Sequence, residues 1–325
     1  MTEYYESPQP KPTKELIYLI LFWIGGTIAS GLVSIILWLI MTGKSLTSIQ
    51  TDLLKPEYLN VFMTIQVVST IFMFFLPGYL AATLRRGKPL QELGFKSSLK
   101  LNRLFISVAI MLSVLPLVGF LAEVNKWIPI TPSLKKMFDA MESDFAEQIK
   151  KIAVFKSPVD YVIALIVIAV TPAVVEETFF RGSMQKIFQR WFVHPWLVIT
   201  ITSIIFSAIH FSWYGFLPRV ALGMMLGGIF YYTGNLWYSI AAHFFNNALM
   251  VTVLYGQTLM GKPVDTEVGD SAPFWAGAIS LVIVVALFRY LHKISATSVA
   301  ADSIAANQVD LHSTQSSDND QHLSV

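Results

Sequence analysis

The chain has 325 residues, 54% of them hydrophobic and 14% charged, with a mean hydropathy of +0.58 and a formal net charge of +2. A soluble domain carries a far larger share of charge, so this is the composition of an integral membrane protein, with no basic excess for a nucleic-acid partner. There is no cysteine, which removes disulfides, thiolate zinc ligands and thiol nucleophiles.

Residues 1–15 form a polar, proline-rich tail without the basic start of a secretory signal. The apolar run behind it, 16–41, is too long for a signal core and predicts a first transmembrane helix that stays. Roughly 20 residues cross a bilayer, and on that measure the apolar runs predict about eight spans. They cover 16–41, 60–84, 104–121, 159–190, 196–214, 218–232, 235–255 and 273–292. The expected fold is therefore all-α, a polytopic membrane protein. Its parts are the tail 1–15, N-terminal helices with a surface loop over 16–157, a core over 158–255, a last helix within 256–294 and a polar tail 295–325. That last tail is low in bulky apolar residues and is expected to be disordered.

Arg85, Arg86, Lys88, Lys96, Lys100 and Arg103 make the segment between the second and third spans the most densely basic, which places it in the cytoplasm. With eight spans both termini are then cytoplasmic, in a plasma or inner membrane. The loop 122–158 falls outside; its six lysines alternate with Glu123, Asp139, Glu142, Asp144 and Glu147. From about Ser133 to Lys151 it reads as an amphipathic helix on the membrane surface. Gly223 and Gly227 form a GxxxG pair, and Gly26 with Ser30 a weaker one, both read as helix packing.

Between Tyr161 and Tyr255 the only acids are Glu176 and Glu177, and the only histidines are His194, His210 and His243. His194 lies in a turn-like WFVHPW and reads as interfacial. If the helices on either side turn near Val193, Glu176 and His210 stand equally far from the turn and reach the same depth. Asn247, one turn from His243 on a shared face, comes to within about a turn of that level. Glu177 and Arg181 are spaced for an i,i+4 ion pair, which leaves Glu176 without a local partner. Such groups can simply glue helices, at around 0.6 kcal/mol each, but two ionisable acids are a poor way to obtain so little.

A desolvated Glu beside a neutral His can activate water, and a second His with an Asn can hold an oxyanion. Glu176, His210 and His243 are equally a candidate ligand set for zinc or another divalent metal, although no His-Glu-x-x-His spacing occurs. The residues alone leave a metal-bound and a Glu-activated water both open. Ser183, Ser203 and Ser207 lack a nucleophile-elbow or Ser/Lys context. A proton-relay or transporter reading lacks an internal repeat.

EETFFR (176–181), FSAIH (206–210) and HFFNN (243–247) resemble the motifs EExxxR, FxxxH and HxxxN of the CPBP family of intramembrane proteases, also called the Abi or CAAX prenyl protease 2-like family. LQELGF at 90–95 resembles a short segment often found upstream of them. The resemblance covers 158–255 and implies a protease site inside the bilayer, opening toward the cytoplasm. It implies Glu176 as general base and His210 as its partner. His243 and Asn247 would hold the oxyanion, or His243 a metal, with Glu177 and Arg181 in support. The implied substrate is a membrane protein or peptide, cleaved by an endopeptidase often described as a metalloenzyme. The competing expectation is a non-proteolytic scaffold or bacteriocin-immunity-type protein that keeps the same pocket.

Overall fold

Proline marks where several helices begin. Pro12, Pro132, Pro158 and Pro195 each stand in a first helical turn, where the missing N–H is one that no intrahelical carbonyl needs. Two helices end on a left-handed glycine, Gly43 at φ 66° and Gly234 at φ 59°, a state that a Cβ opposes. The structure, a computed structural model, describes residues 10–264 and 271–296. The tail expected to be disordered lies outside the described residues from 297 onward, as do residues 1–9 of the N-terminal tail.

Nine main helices follow in order. They are α1 (Pro12–Thr42), α2 (Pro56–Thr83), α3 (Leu101–Trp127), α4 (Pro132–Ile152), α5 (Pro158–Gln189), α6 (Pro195–Ala208), α7 (Phe216–Thr233), α8 (Leu236–Leu259) and α9 (Phe274–Ala296). No strand occurs among the described residues, so the all-α multi-pass architecture is as expected. The count of eight spans is not reproduced. By length and composition five helices suffice to cross a membrane: α1, α2, α3, α5 and α9. At 14 residues α6 is too short. Much of α7 is buried against other helices, where contact with lipid does not set its composition.

Glycines bring α5, α6 and α7 together. A Cβ at Gly223 would stand 2.9 Å from Ser203 Cβ, and one at Gly227 would stand 3.0 Å from Ile199 Cγ2. The carbonyls of the same two glycines accept hydrogen bonds from Arg181 Nη2 and Gln185 Nε2, each at 3.0 Å. The GxxxG pair is thus a packing device, as its spacing predicts. Gly26 serves α1 in the same way, more tightly: a Cβ there would sit 2.3 Å from the Phe72 carbonyl oxygen of α2. Backbone cannot rotate aside, so Gly26→Ala is expected to destabilise the protein by about 1–3 kcal/mol. Unfolding of purified protein in mixed micelles measures this, and an unchanged midpoint would refute the close contact.

Two helices are locally widened. α2 is π-helical over Ile71–Phe75, and α5 over Leu165–Val170 and again over Thr178–Gln185. The first two stretches each end two residues before a proline, Pro77 and Pro172. A prolyl ring offers no N–H and presses on the carbonyl four residues back, which a wider turn accommodates.

At the end of the bundle that carries the basic segment, Glu15 is fully buried. Its carboxylate accepts from Arg85 Nε at 2.6 Å and from Arg190 Nη2. Arg85 also donates to the carbonyls of Glu92 and Gly182, and Lys186 Nζ donates to Glu92 O at 2.6 Å. The LQELGF stretch therefore ties the basic segment to α5. Through Gly94 O, which accepts from Leu236 N at 2.8 Å, it also ties that segment to α8.

α4 is the amphipathic helix expected over 133–151. It lies at the opposite end of the bundle, where three contacts fasten it to the loop between α6 and α7. Ser212 Oγ donates to Glu142 Oε2 at 2.9 Å, Tyr214 OH donates to Asp139 Oδ1 at 2.5 Å, and Phe138 stacks on Trp213 with centroids 5.6 Å apart. Hydrogen bonds from Lys135 and then Tyr214 hold the Asp139 carboxyl below its usual range, and the bond to Asp139 pushes the Tyr214 phenol up. A depressed acid stabilises above its unfolded pKa and loses that contribution as pH falls through the lower folded value. A raised phenol stabilises below its unfolded pKa and loses the contribution as pH rises through the higher folded value. Amide-exchange protection of 132–152, corrected for intrinsic exchange, is therefore expected to stay flat from neutral pH to about pH 4 and to fall below it. Asp139→Asn should remove that step. A step centred at or above pH 4 would contradict the latch.

Candidate active site

The two adjacent glutamates of α5 have different surroundings. Glu177 is completely buried. Its Oε1 accepts from Arg181 Nη1 at 2.7 Å and faces His243 Nδ1 at 3.0 Å. Arg181, also fully buried, spends Nη2 on Gly223 O and lies 4.8 Å over the Phe206 ring. The i,i+4 pair read from the sequence is thus present, extended by a histidine from α8. Glu176, one residue earlier and about 100° around the helix, makes no hydrogen bond to protein among the described residues. His243 Nε2 stands 4.0 Å from Glu176 Oε2.

Glu176 faces a cavity of about 420 Å³. His210, His243, Asn246, Asn247 and Arg219 stand on its walls with Glu176, and Phe145 and Ile149 of α4 close one side. The structure thus gathers Glu176, His210, His243 and Asn247 around one space, as the depth argument expects, while Glu177 and Arg181 stay behind the wall. His194 is exposed at the start of α6, away from the cavity. The three serines are spent on backbone: Ser183 Oγ donates to Gly78 O, Ser203 Oγ to Ile199 O and Ser207 Oγ to Phe216 O.

Local backbone chemistry sets the histidines and the asparagine. Where the α6 helix ends, His210 Nδ1 lies 2.7 Å from the Phe206 carbonyl. A carbonyl only accepts, so Nδ1 carries the proton and Nε2 keeps a lone pair. His243 Nδ1 faces a carboxylate, which also only accepts, and so its Nε2 is bare in the neutral ring. Asn247 Nδ2 donates to Ile168 O at 3.1 Å. Ile168 lies in the π-helical stretch just ahead of Pro172, whose missing N–H leaves that part of the ladder short of a donor. Asn247 repairs that defect with one N–H and retains the other. Its Oδ1 accepts from Asn246 Nδ2 at 3.2 Å.

Arg219 was not singled out by the sequence reading. Its signal is a lone cation at the head of an otherwise apolar FLPRVALGMML run. Among the described residues no three His, Asp or Glu side chains gather closely enough to hold a metal ion. Two expectations about orientation also diverge. The basic segment marks one end of the bundle as cytoplasmic, yet the cavity lies under α4 at the other end, so a cytoplasmic opening and the Lys/Arg bias point to opposite faces.

Fold and site together define a multi-pass α-helical membrane protein with an ionisable, cavity-facing cluster among its helices. Residues 158–249 match the family model described as Rce1-like, type II CAAX prenyl endopeptidase. The match covers under a third of the chain and supports, for that segment, a likeness to CAAX-type intramembrane proteases. No curated protein and no solved structure matches it.

Proposed function

We propose that the cavity is where this chain hydrolyses a peptide bond of a membrane-associated protein or peptide, with Glu176 as the general base. The observation that carries this reading is the contrast between the two glutamates. Glu177 is spent on Arg181 and His243, whereas Glu176 faces the cavity with no protein hydrogen bond among the described residues.

In this reading Glu176 takes a proton from a water in the cavity, and His210 Nε2 accepts a hydrogen bond from the same water. The hydroxide forms a bond to the carbonyl carbon, and the carbonyl electron pair moves to oxygen. The free N–H of Asn247 donates to that oxyanion, joined by His243 Nε2 when the ring is protonated. Glu176 then returns its proton to the departing nitrogen, the C–N bond breaks, and an acid and an amine remain. The roles of Glu177 and Arg181 are to hold the His243 ring and the α5 backbone in place.

The test compares membranes from cells carrying wild type and Glu176→Gln at equal levels, with new peptide termini mapped by mass spectrometry. Termini found only with wild type support the reading and name the substrate. An unchanged set of termini, with the phenotype intact in the variant, would favour a scaffold that acts by binding.

A further inference from the structure

Arg219 occupies a seat made for it. A Cβ on Gly215 would stand 2.7 Å from both its Nη1 and Nη2 and 2.8 Å from its Cζ. Gly215 has an ordinary φ of −87°, so a side chain there would meet the Arg219 guanidinium and not a backbone restriction. The guanidinium thus lies close against the Gly215 backbone, and its Nη1 is buried without a hydrogen-bond partner among the described residues. A desolvated cationic N–H left unpaired is costly, and the cost is recovered when an anion reaches it.

The space in front of Arg219 is hollow. It lines the cavity that holds Glu176 and also a second one of about 330 Å³. The two share Phe145, Gln148, His210 and Arg219, so one extended ligand can occupy both. Arg219 is the one cation on either wall among the described residues. Glu142 and Asp144 of α4 line the second cavity as well; the Glu142 carboxylate accepts from Ser212 Oγ at 2.9 Å and makes no ion pair with Arg219.

We propose that the second cavity is an anion subsite, in which Arg219 receives a carboxylate of the peptide that lies across Glu176 and His210, against the opposing charge of Glu142. This deepens the proteolytic reading and rests on it for the word peptide. A single guanidinium fork matches one carboxylate in charge and shape, and a dianion would leave a charge unmatched. The carboxylate can be the peptide's C-terminus or an acidic side chain near the scissile bond. Glu142 and Asp144 oppose the binding of either.

The experiment uses the full chain in lipid nanodiscs, carrying Glu176→Gln so that bound peptide is not consumed. Three apolar synthetic octapeptides are compared: one with a free C-terminal carboxylate, one amidated and uncharged, and one amidated with a single internal glutamate. At least one acidic peptide is expected to bind about tenfold more tightly than the neutral one, with Arg219→Gln erasing the difference. The preferred acidic peptide tells a terminal from a side-chain carboxylate. Glu142→Gln, on a surface helix that does not test the core, is expected to tighten the acidic peptide alone. Equal binding of all three, binding of none, or a preference that survives Arg219→Gln would overturn the proposal. If acidic peptides bind through Arg219 but wild type never cleaves them, the subsite stands and the proteolytic reading falls.

Discussion

Glu176→Gln lowers the rate of peptide-bond cleavage by about 10²- to 10⁴-fold, the usual worth of a positioned general base, and leaves the unfolding midpoint where it was. The amide keeps the shape of the acid but cannot take a proton from water. The fold is spared because Glu176 forms no hydrogen bond that the packing depends on among the described residues. His210→Ala should also reduce cleavage, because it removes the Nε2 lone pair presented when Nδ1 binds the Phe206 carbonyl. Turnover of a substrate identified by terminus mapping checks both, in purified protein with its melting curve recorded alongside. A Glu176→Gln protein that still cuts at the wild-type rate would remove Glu176 from the chemistry.

Its neighbour behaves in the opposite way. Arg181→Met leaves the fully buried Glu177 carboxylate with His243 as its remaining partner among the described residues and removes a side-chain donor from the Gly223 carbonyl, so the protein is expected to lose about 3–5 kcal/mol. Replacing both partners, as Glu177→Gln with Arg181→Met, should recover part of that loss, because no uncompensated charge is then buried. Unfolding in mixed micelles reads all three proteins. A single Arg181→Met variant as stable as wild type would mean that the pair does not hold α5 against α7. One dipeptide thus separates two functions, and the separation is measurable as activity lost in one case and stability lost in the other.

Much of this site is legible without coordinates, for reasons that can be named. Helix rise per residue is fixed, so equal distances from a turn put Glu176 and His210 at one depth. Helical spacing is fixed too, so Glu177 and Arg181 must meet. The amphipathic pattern of 133–151 survives as α4 because it is local. What stays hidden depends on departures from the ideal helix or on distant partners. The bond from Asn247 to Ile168 exists because Pro172 breaks a ladder in another helix, and hydropathy does not record that. His243 turns to Glu177 across 66 residues of sequence. Arg219 reads as an ordinary lone cation until Gly215 is seen beneath it. The number of spans is not confirmed, because apolar runs mark buried helices and lipid-facing helices alike.

The burial of Glu15 has a consequence for how the protein is made. Its two arginine partners lie 70 and 175 residues further along the chain. At synthesis rates of about 5–20 residues per second, the second arrives roughly 9 to 35 seconds after the acid itself. During that interval α1 has already left the ribosome with a carboxylate near its start that lacks half of its final partners, which favours keeping that end at the water interface. Only when the distal end of α5 has been synthesised can Arg190 complete the pairing. The helix that carries Glu176 thus also completes the anchoring of the first helix, and biogenesis couples assembly of the Glu176 cavity to final docking of the chain's beginning.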